Sequence, residues 1–130
     1  MINATKTGRQ VGPMNKTPKK IKKLLAEQAD RAWEAELRTA LAALAERFDQ
    51  WRAGTLSCDE LNQAIHAYHN GVAREIWKRY AGADPALPLA RAVALGILGR
   101  ESLPPEVLEH IAGLVGLFSR DADDDEEVDA

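Results

Sequence analysis

The run IKKLLAEQADRAWEAELRTALAALAERFDQW, residues 21–51, decides the fold because it is long, periodic and free of glycine and proline. Its apolar residues recur every three or four positions, the spacing that places side chains on one face of an α-helix. Thr17 and Pro18 precede it as a helix cap and a first helical residue, and Gly54 follows as a C-terminal stop. The sequence predicts one first helix of about 34 residues, roughly 50 Å long at 1.5 Å per residue.

The second half of this helix has the alternating four-three spacing of a coiled-coil seam. A rod of about 50 Å is longer than the ~30 Å diameter of a small domain. Either the helix breaks once, or one end projects and packs against something else. The candidate interface residues on that end are Leu37, Leu41, Leu44, Phe48 and Trp51.

A second helix is indicated by a capping box, in which Ser57 is followed three residues later by Glu60. The pair Asn70-Gly71 lies inside the helical pattern and either ends this helix or only bends it. The apolar series resumes after the pair in the same register, so continuity as far as Tyr80 stays open.

Two more helices follow. A small-residue helix is predicted from Pro85 to Leu98, with Gly96 allowing a neighbour to approach closely and Gly99 acting as the stop. Pro104-Pro105 then opens a last helix, whose helical spacing of apolar residues continues to Phe118.

The predicted fold class is therefore all-α, a bundle of four to five helices with a long N-terminal helix and disordered charged termini. Residues 17–118 form the helical domain. The net charge is −3, but residues 1–23 contain seven Lys or Arg and no acid, whereas residues 119–130 contain seven acids and one Arg. Such segments bury too little apolar surface to fold alone, so we expect a disordered basic arm, 1–16, and a disordered acidic tail, 119–130.

The basic segment has two candidate partners. It can bind nucleic-acid phosphates with salt-sensitive affinity, or meet an acidic protein surface such as the tail of a neighbouring copy. It contains no interleaved aromatic residue, so base stacking by this segment is not expected. The candidate nucleic-acid-binding residues are Lys16, Lys19, Lys20, Lys22 and Lys23.

The single cysteine, Cys58, rules out an intramolecular disulfide. No apolar stretch follows the basic N-terminus, and the most apolar stretch, Leu87–Leu98, is much shorter than the ~20 residues that span a bilayer. We therefore expect a cytoplasmic protein with no membrane partner.

The densest polar cluster is His66, His69, Arg74 and Glu75. Two histidines at i and i+3 can share one helix face, as a metal would require, but zinc needs three or four ligands and only these two have suitable spacing. The simpler interpretation is that they cap or hydrogen-bond the Asn70-Gly71 turn. We predict no bound metal and no cofactor, and we keep the cluster as a candidate site of a hydrolase or metal protein.

Next to this cluster, Arg74, Trp77, Lys78 and Arg79 offer a second interpretation as a partly exposed contact surface, because Arg and Trp are common at protein interfaces. The alternative is an ordinary amphipathic helix with its charges in water.

The segments FDQWRAG, residues 48–54, and IHAYHNGVAREIW, residues 65–77, resemble small helical proteins of bacteria. The resemblance covers about half of the chain and includes both histidines. It implies a bacterial source. No established activity is attached to that group, so the resemblance assigns no catalytic or binding residue.

The sequence contains no Gly-rich phosphate loop, no CxxC, no HExxH and no GxSxG. The leading hypothesis is therefore a non-enzymatic interaction or regulatory protein that binds a protein partner or a second copy through its first helix. The second is a nucleic-acid-associated protein that uses the basic arm. The third is a hydrolase or metal protein built on the histidine cluster.

Overall fold

The computed structural model describes residues 18–129, and describes side chains for residues 18–119. The helices are α1 Lys19–Arg52, α2 Cys58–Ala67, α3 Ala73–Tyr80, α4 Ala86–Ala94 and α5 Pro105–Asp129. A π-helical turn, Tyr68–Val72, joins α2 to α3 without a break, and a 3₁₀ turn, Arg100–Ser102, lies between α4 and α5. The described residues thus form four helical segments, and the predicted all-α bundle with a long N-terminal helix is confirmed.

Helix α1 is unbroken over 34 residues. Of the two alternatives from the sequence, a break or a projecting end, the structure therefore shows the projecting end. It begins at Lys19, one residue later than expected, because Pro18 has an extended ψ of 147°. Only the carbonyl of Pro18 takes part in the helix, where it accepts a 2.9 Å hydrogen bond from the Lys22 N–H. The proposed cap, Thr17, lies outside the described residues, as does the basic arm, 1–16.

Gly54 ends α1 as expected. Its φ is +88°, and the hydrogen bonds from Thr55 N to Gln50 O and from Gly54 N to Trp51 O form a Schellman motif.

The predicted end of the third helical segment is wrong. Gly96, not Gly99, terminates α4: its φ is +79°, and the hydrogen bond from Ile97 N to Ala92 O closes the helix in the same motif. A Cβ on Gly96 would meet nothing within 4 Å, so this glycine serves the left-handed backbone and not the close approach of a neighbour.

The capping box is present: the Ser57 Oγ accepts from the Glu60 N–H at 3.0 Å, and the Glu60 carboxylate accepts from the Ser57 N–H at 2.8 Å. The Ser57 backbone hydrogen bond lowers the pKa of Glu60.

Asn70-Gly71 lies within the π-helical turn and does not end the helix. The last helix continues past Phe118, where the sequence placed its end, to Asp129.

The hydrophobic core lies at one end of the molecule. Its buried side chains come from the first half of α1, from α4, from the connection that follows α4, and from α5. Leu89, Val107 and Ile111 are its largest fully buried members. Within the described residues, no helix has both the length and the apolar character needed to cross a membrane.

The other end of the molecule is a two-helix hairpin, which we call the distal hairpin, formed by residues 37–52 of α1 and by α2. The two helices are antiparallel, since Trp51 contacts Cys58 at the tip while Glu36 contacts Arg79 at the base. The buried residues of α1 are Leu25, Ala29 and Ala32, all in the first half, and α2 contributes Leu61. The hairpin is therefore one layer thick.

Candidate functional site

The two ends of the molecule meet at a polar junction centred on Glu36. Its carboxylate accepts hydrogen bonds from Arg79 at 2.8 Å, from Arg91 at 3.2 Å and from the Tyr80 hydroxyl. The Glu36 side chain is only 11% exposed, and the side chains of the two arginines are about one-quarter exposed, at 26% and 28%. One carboxylate on α1 thus holds α3 and α4 together.

The junction changes the ionisation of Tyr80. Burial raises the pKa of its hydroxyl, and the hydrogen bond to the Glu36 carboxylate raises that pKa further, since both favour the neutral phenol.

Sequence reasoning missed Glu36 and Arg91, although the signal for Glu36 was available. Glu36 follows Leu25, Ala29 and Ala32 at helical spacing, which places a carboxylate in line with the core-facing residues of α1. A carboxylate in that position requires a cationic or hydroxyl partner.

Two clefts run along the side of α1. An open cleft of about 560 Å³ lies over the junction, between α1 and α3, and a second of about 300 Å³ lies between α1 and α2. Ala40 and Val72 line both clefts, so the two form one continuous surface, which we call the hairpin groove. Small side chains make up much of its lining, including Ala35, Ala40, Ala43, Ala64 and Ala67.

The proposed interface residues divide into two groups. Leu37, Leu44 and Phe48 are half-buried, whereas Leu41 is 48% exposed and Trp51 is 40% exposed. Part of the expected seam is therefore covered within the chain, and the rest is open.

The histidine cluster is only partly assembled. His69 and Arg74 line a separate open cleft of about 400 Å³, together with Asn70, Trp77 and Lys78. Glu75 lines the hairpin groove instead, and His66 is exposed without lining either cleft.

Among the described side chains, no group of three or more His, Cys, Asp or Glu is arranged to hold a metal ion. Arg79 also lies apart from Arg74 and Lys78, because it turns toward Glu36.

The first turns of α1 carry Lys19, Lys20, Lys22 and Lys23, all exposed. Lys20 lies 4.0 Å from the Glu106 carboxylate on α5, a weak surface contact. Lys16 lies outside the described residues.

No protein-family model, no curated protein and no solved structure matches this chain.

Proposed function

We propose that this protein acts by binding rather than by catalysis, and that it self-associates through the distal hairpin. The observation that carries the proposal is the single-layer hairpin: between residues 37 and 51, all of which the structure describes, no side chain of α1 is buried. A stable helical layer normally buries its apolar stripe against another layer. A second hairpin would supply that layer.

The shape of the hairpin groove supports a helical partner. Alanine side chains from α1 and α2 keep the groove shallow, so a partner helix can approach to the 8–10 Å interaxial distance of packed helices. Large apolar side chains are exposed on the hairpin and beside it: Leu41 on α1, Ile65 on α2 and Val72 in the π-helical turn. A partner that covers them gains the free energy of removing their apolar surface from water.

The charge distribution supports a second copy in antiparallel orientation. Residues 44–60, around the tip, contain two more acids than bases. Pairing two hairpins tip to tip would bring the two acidic ends together, whereas an antiparallel pairing separates them. A two-fold axis then generates a four-helix bundle from two identical hairpins.

The hydrolase or metal alternative has less support, because His69 and Arg74 share a cleft that Glu75 does not line.

Light scattering on the full chain tests the proposal. We expect a mass twice the 14.3 kDa of one chain. Ala67→Arg places a long cation on an exposed position of the groove and should return the protein to a monomer. The matched control is Ala26→Arg, an exposed alanine of α1 outside the hairpin, which should leave the dimer intact. A monomer at every concentration, or equal masses for the two variants, would contradict the proposal.

A further inference from the structure

We infer that the outer face of the π-helical turn and α3 is a binding surface for single-stranded nucleic acid, with a base stacked on Trp77 and phosphates held by Arg74 and Lys78. We call it the Trp77 face; its residues line the cleft of about 400 Å³ described above. None of them lines the hairpin groove, so this inference goes beyond the proposed self-association.

The position of Trp77 is the first observation. At 60% it is the most exposed large apolar side chain among the described residues. Its neighbour Ile76 supplies the core contact of α3, so the indole is not required for packing there. An indole that is mostly exposed is accessible to a base, and stacking of a base on an aromatic ring tolerates any base.

The flanking cations are the second observation. Arg74 precedes Trp77 by one helical turn and Lys78 follows it directly, and both line the same cleft. Neither forms an ion pair with a carboxylate in the described part of the chain, in contrast to Arg79, which binds Glu36. Both side chains are therefore free to contact phosphates, and each such contact releases counterions from the nucleic acid.

The π-helical turn is the third observation. The Ala73 N–H bonds to the Tyr68 carbonyl, five residues back, instead of the usual four. Such wide turns are frequent at functional sites. His69 and Asn70 of this turn line the same cleft as Trp77 and bring ring-nitrogen and amide groups that can hydrogen-bond the edge of a stacked base.

An exposed indole flanked by two cations favours nucleic acid over an acidic protein segment as the ligand. A polyacidic peptide would use the two cations but has no planar group for the exposed indole. The Trp77 face has the stacking residue that residues 1–23 lack, and that segment contains seven Lys or Arg. A duplex is disfavoured because its bases are already stacked and paired, so their faces are not free.

Fluorescence anisotropy of a labelled oligodeoxythymidylate, titrated with the full chain at low salt, measures the binding. Trp77→Ala should weaken the affinity roughly tenfold, about 1.4 kcal/mol, because the stacked base loses its aromatic partner. Trp77→Phe keeps an aromatic face and should retain most of the affinity. Because Trp77 is largely exposed, both variants should keep the helical circular-dichroism spectrum.

The salt dependence tests the cations separately. Arg74→Ala and Lys78→Ala should each reduce the slope of log affinity against log salt by about 0.7, the value for one phosphate contact on a single strand. The control is Arg38→Ala, which removes an exposed arginine of α1 that pairs with Glu34 and lies outside the cleft, and should leave the slope unchanged.

Three results would overturn the inference. The first is that the full chain does not bind the oligonucleotide at low salt. The second is binding that is insensitive to Trp77→Ala, which would place the contact on the basic arm alone. The third is that polyglutamate binds as tightly as the oligonucleotide and with the same dependence on Trp77, which would identify an acidic protein segment as the partner. None of these results depends on whether the protein is a dimer.

Discussion

At the scale of single residues, the Glu36 carboxylate accepts three side-chain hydrogen bonds, more than any other carboxylate whose side chain the structure describes. It joins α1 to Arg79 and Tyr80 of α3 and to Arg91 of α4. Removing the charge leaves two partly covered guanidinium groups without their counterion, which is costlier than losing an exposed ion pair.

Glu36→Gln should therefore lower the free energy of unfolding by about 1–3 kcal/mol, the range for hydrogen bonds to charged groups. Urea denaturation monitored by circular dichroism measures it. The control is Glu34→Gln, which breaks an exposed ion pair with Arg38 and should cost less than about 1 kcal/mol. If the two variants lose the same free energy of unfolding, the Glu36 junction contributes no more to stability than an exposed ion pair.

The same junction predicts a pH dependence. The pKa of Tyr80 is raised in the folded protein, so above about pH 10 the unfolded chain ionises this phenol while the folded chain does not. Ionisation then favours unfolding, and the stabilising contribution of Tyr80 is full below pH 10 and lost as the pH rises. Between pH 9 and 11, taken as about one unit either side of the ordinary tyrosine pKa, the stability of the wild type should fall more steeply than that of Tyr80→Phe. Urea denaturation at each pH measures both proteins. If their free energies of unfolding fall in parallel as the pH rises, the raised pKa of Tyr80 is not the cause.

At the scale of elements, the sequence predicted where helices exist better than where they end. The long α1, the capping box of α2 and the double proline before α5 follow from local chemistry, and all three are observed. The end of α4 was misplaced because Gly96 and Gly99 are both able to stop a helix. Only the packed structure decides that Gly96 adopts positive φ, while Gly99 has an ordinary extended backbone.

The same limit applies to the candidate site. The cluster around His69 was visible as a motif, but the π-helical turn, which arises from a shifted hydrogen-bond pattern, was not. Its consequence, that His69 and Arg74 share a cleft while Glu75 lines another, could not be read from spacing alone.

Two glycine substitutions test this account of the helix ends. Gly96→Ala should lower the free energy of unfolding by about 1–2 kcal/mol, because a Cβ disfavours the left-handed backbone even where space is open. Gly116→Ala, inside α5 with open space around its Cβ position, should raise it by about 0.5–1 kcal/mol. Thermal or urea unfolding of both variants measures the difference. A common sign for the two changes would contradict the assignment of Gly96 as the terminator of α4.

At the scale of the whole molecule, the chain has a compact core at one end and a thin hairpin at the other. Residues 44–60, at the tip of the hairpin, contain two more acids than bases. The hairpin groove and the Trp77 face are lined by different residues. A dimer formed through the groove would leave the Trp77 face of each copy available.

Cys58 allows a direct test of the antiparallel dimer, because it is exposed, is the single cysteine of the chain and lies near the hairpin tip. A spin label on Cys58 gives one probe per chain, and pulsed dipolar spectroscopy measures the distance between the two labels in a dimer. Antiparallel hairpins place the labels about 25 Å or more apart, the length of 16 helical residues. Labels within about 15 Å of each other, as helices packed side by side in parallel would place them, would contradict the tip-to-base arrangement. The absence of any dipolar signal at high protein concentration would contradict self-association itself.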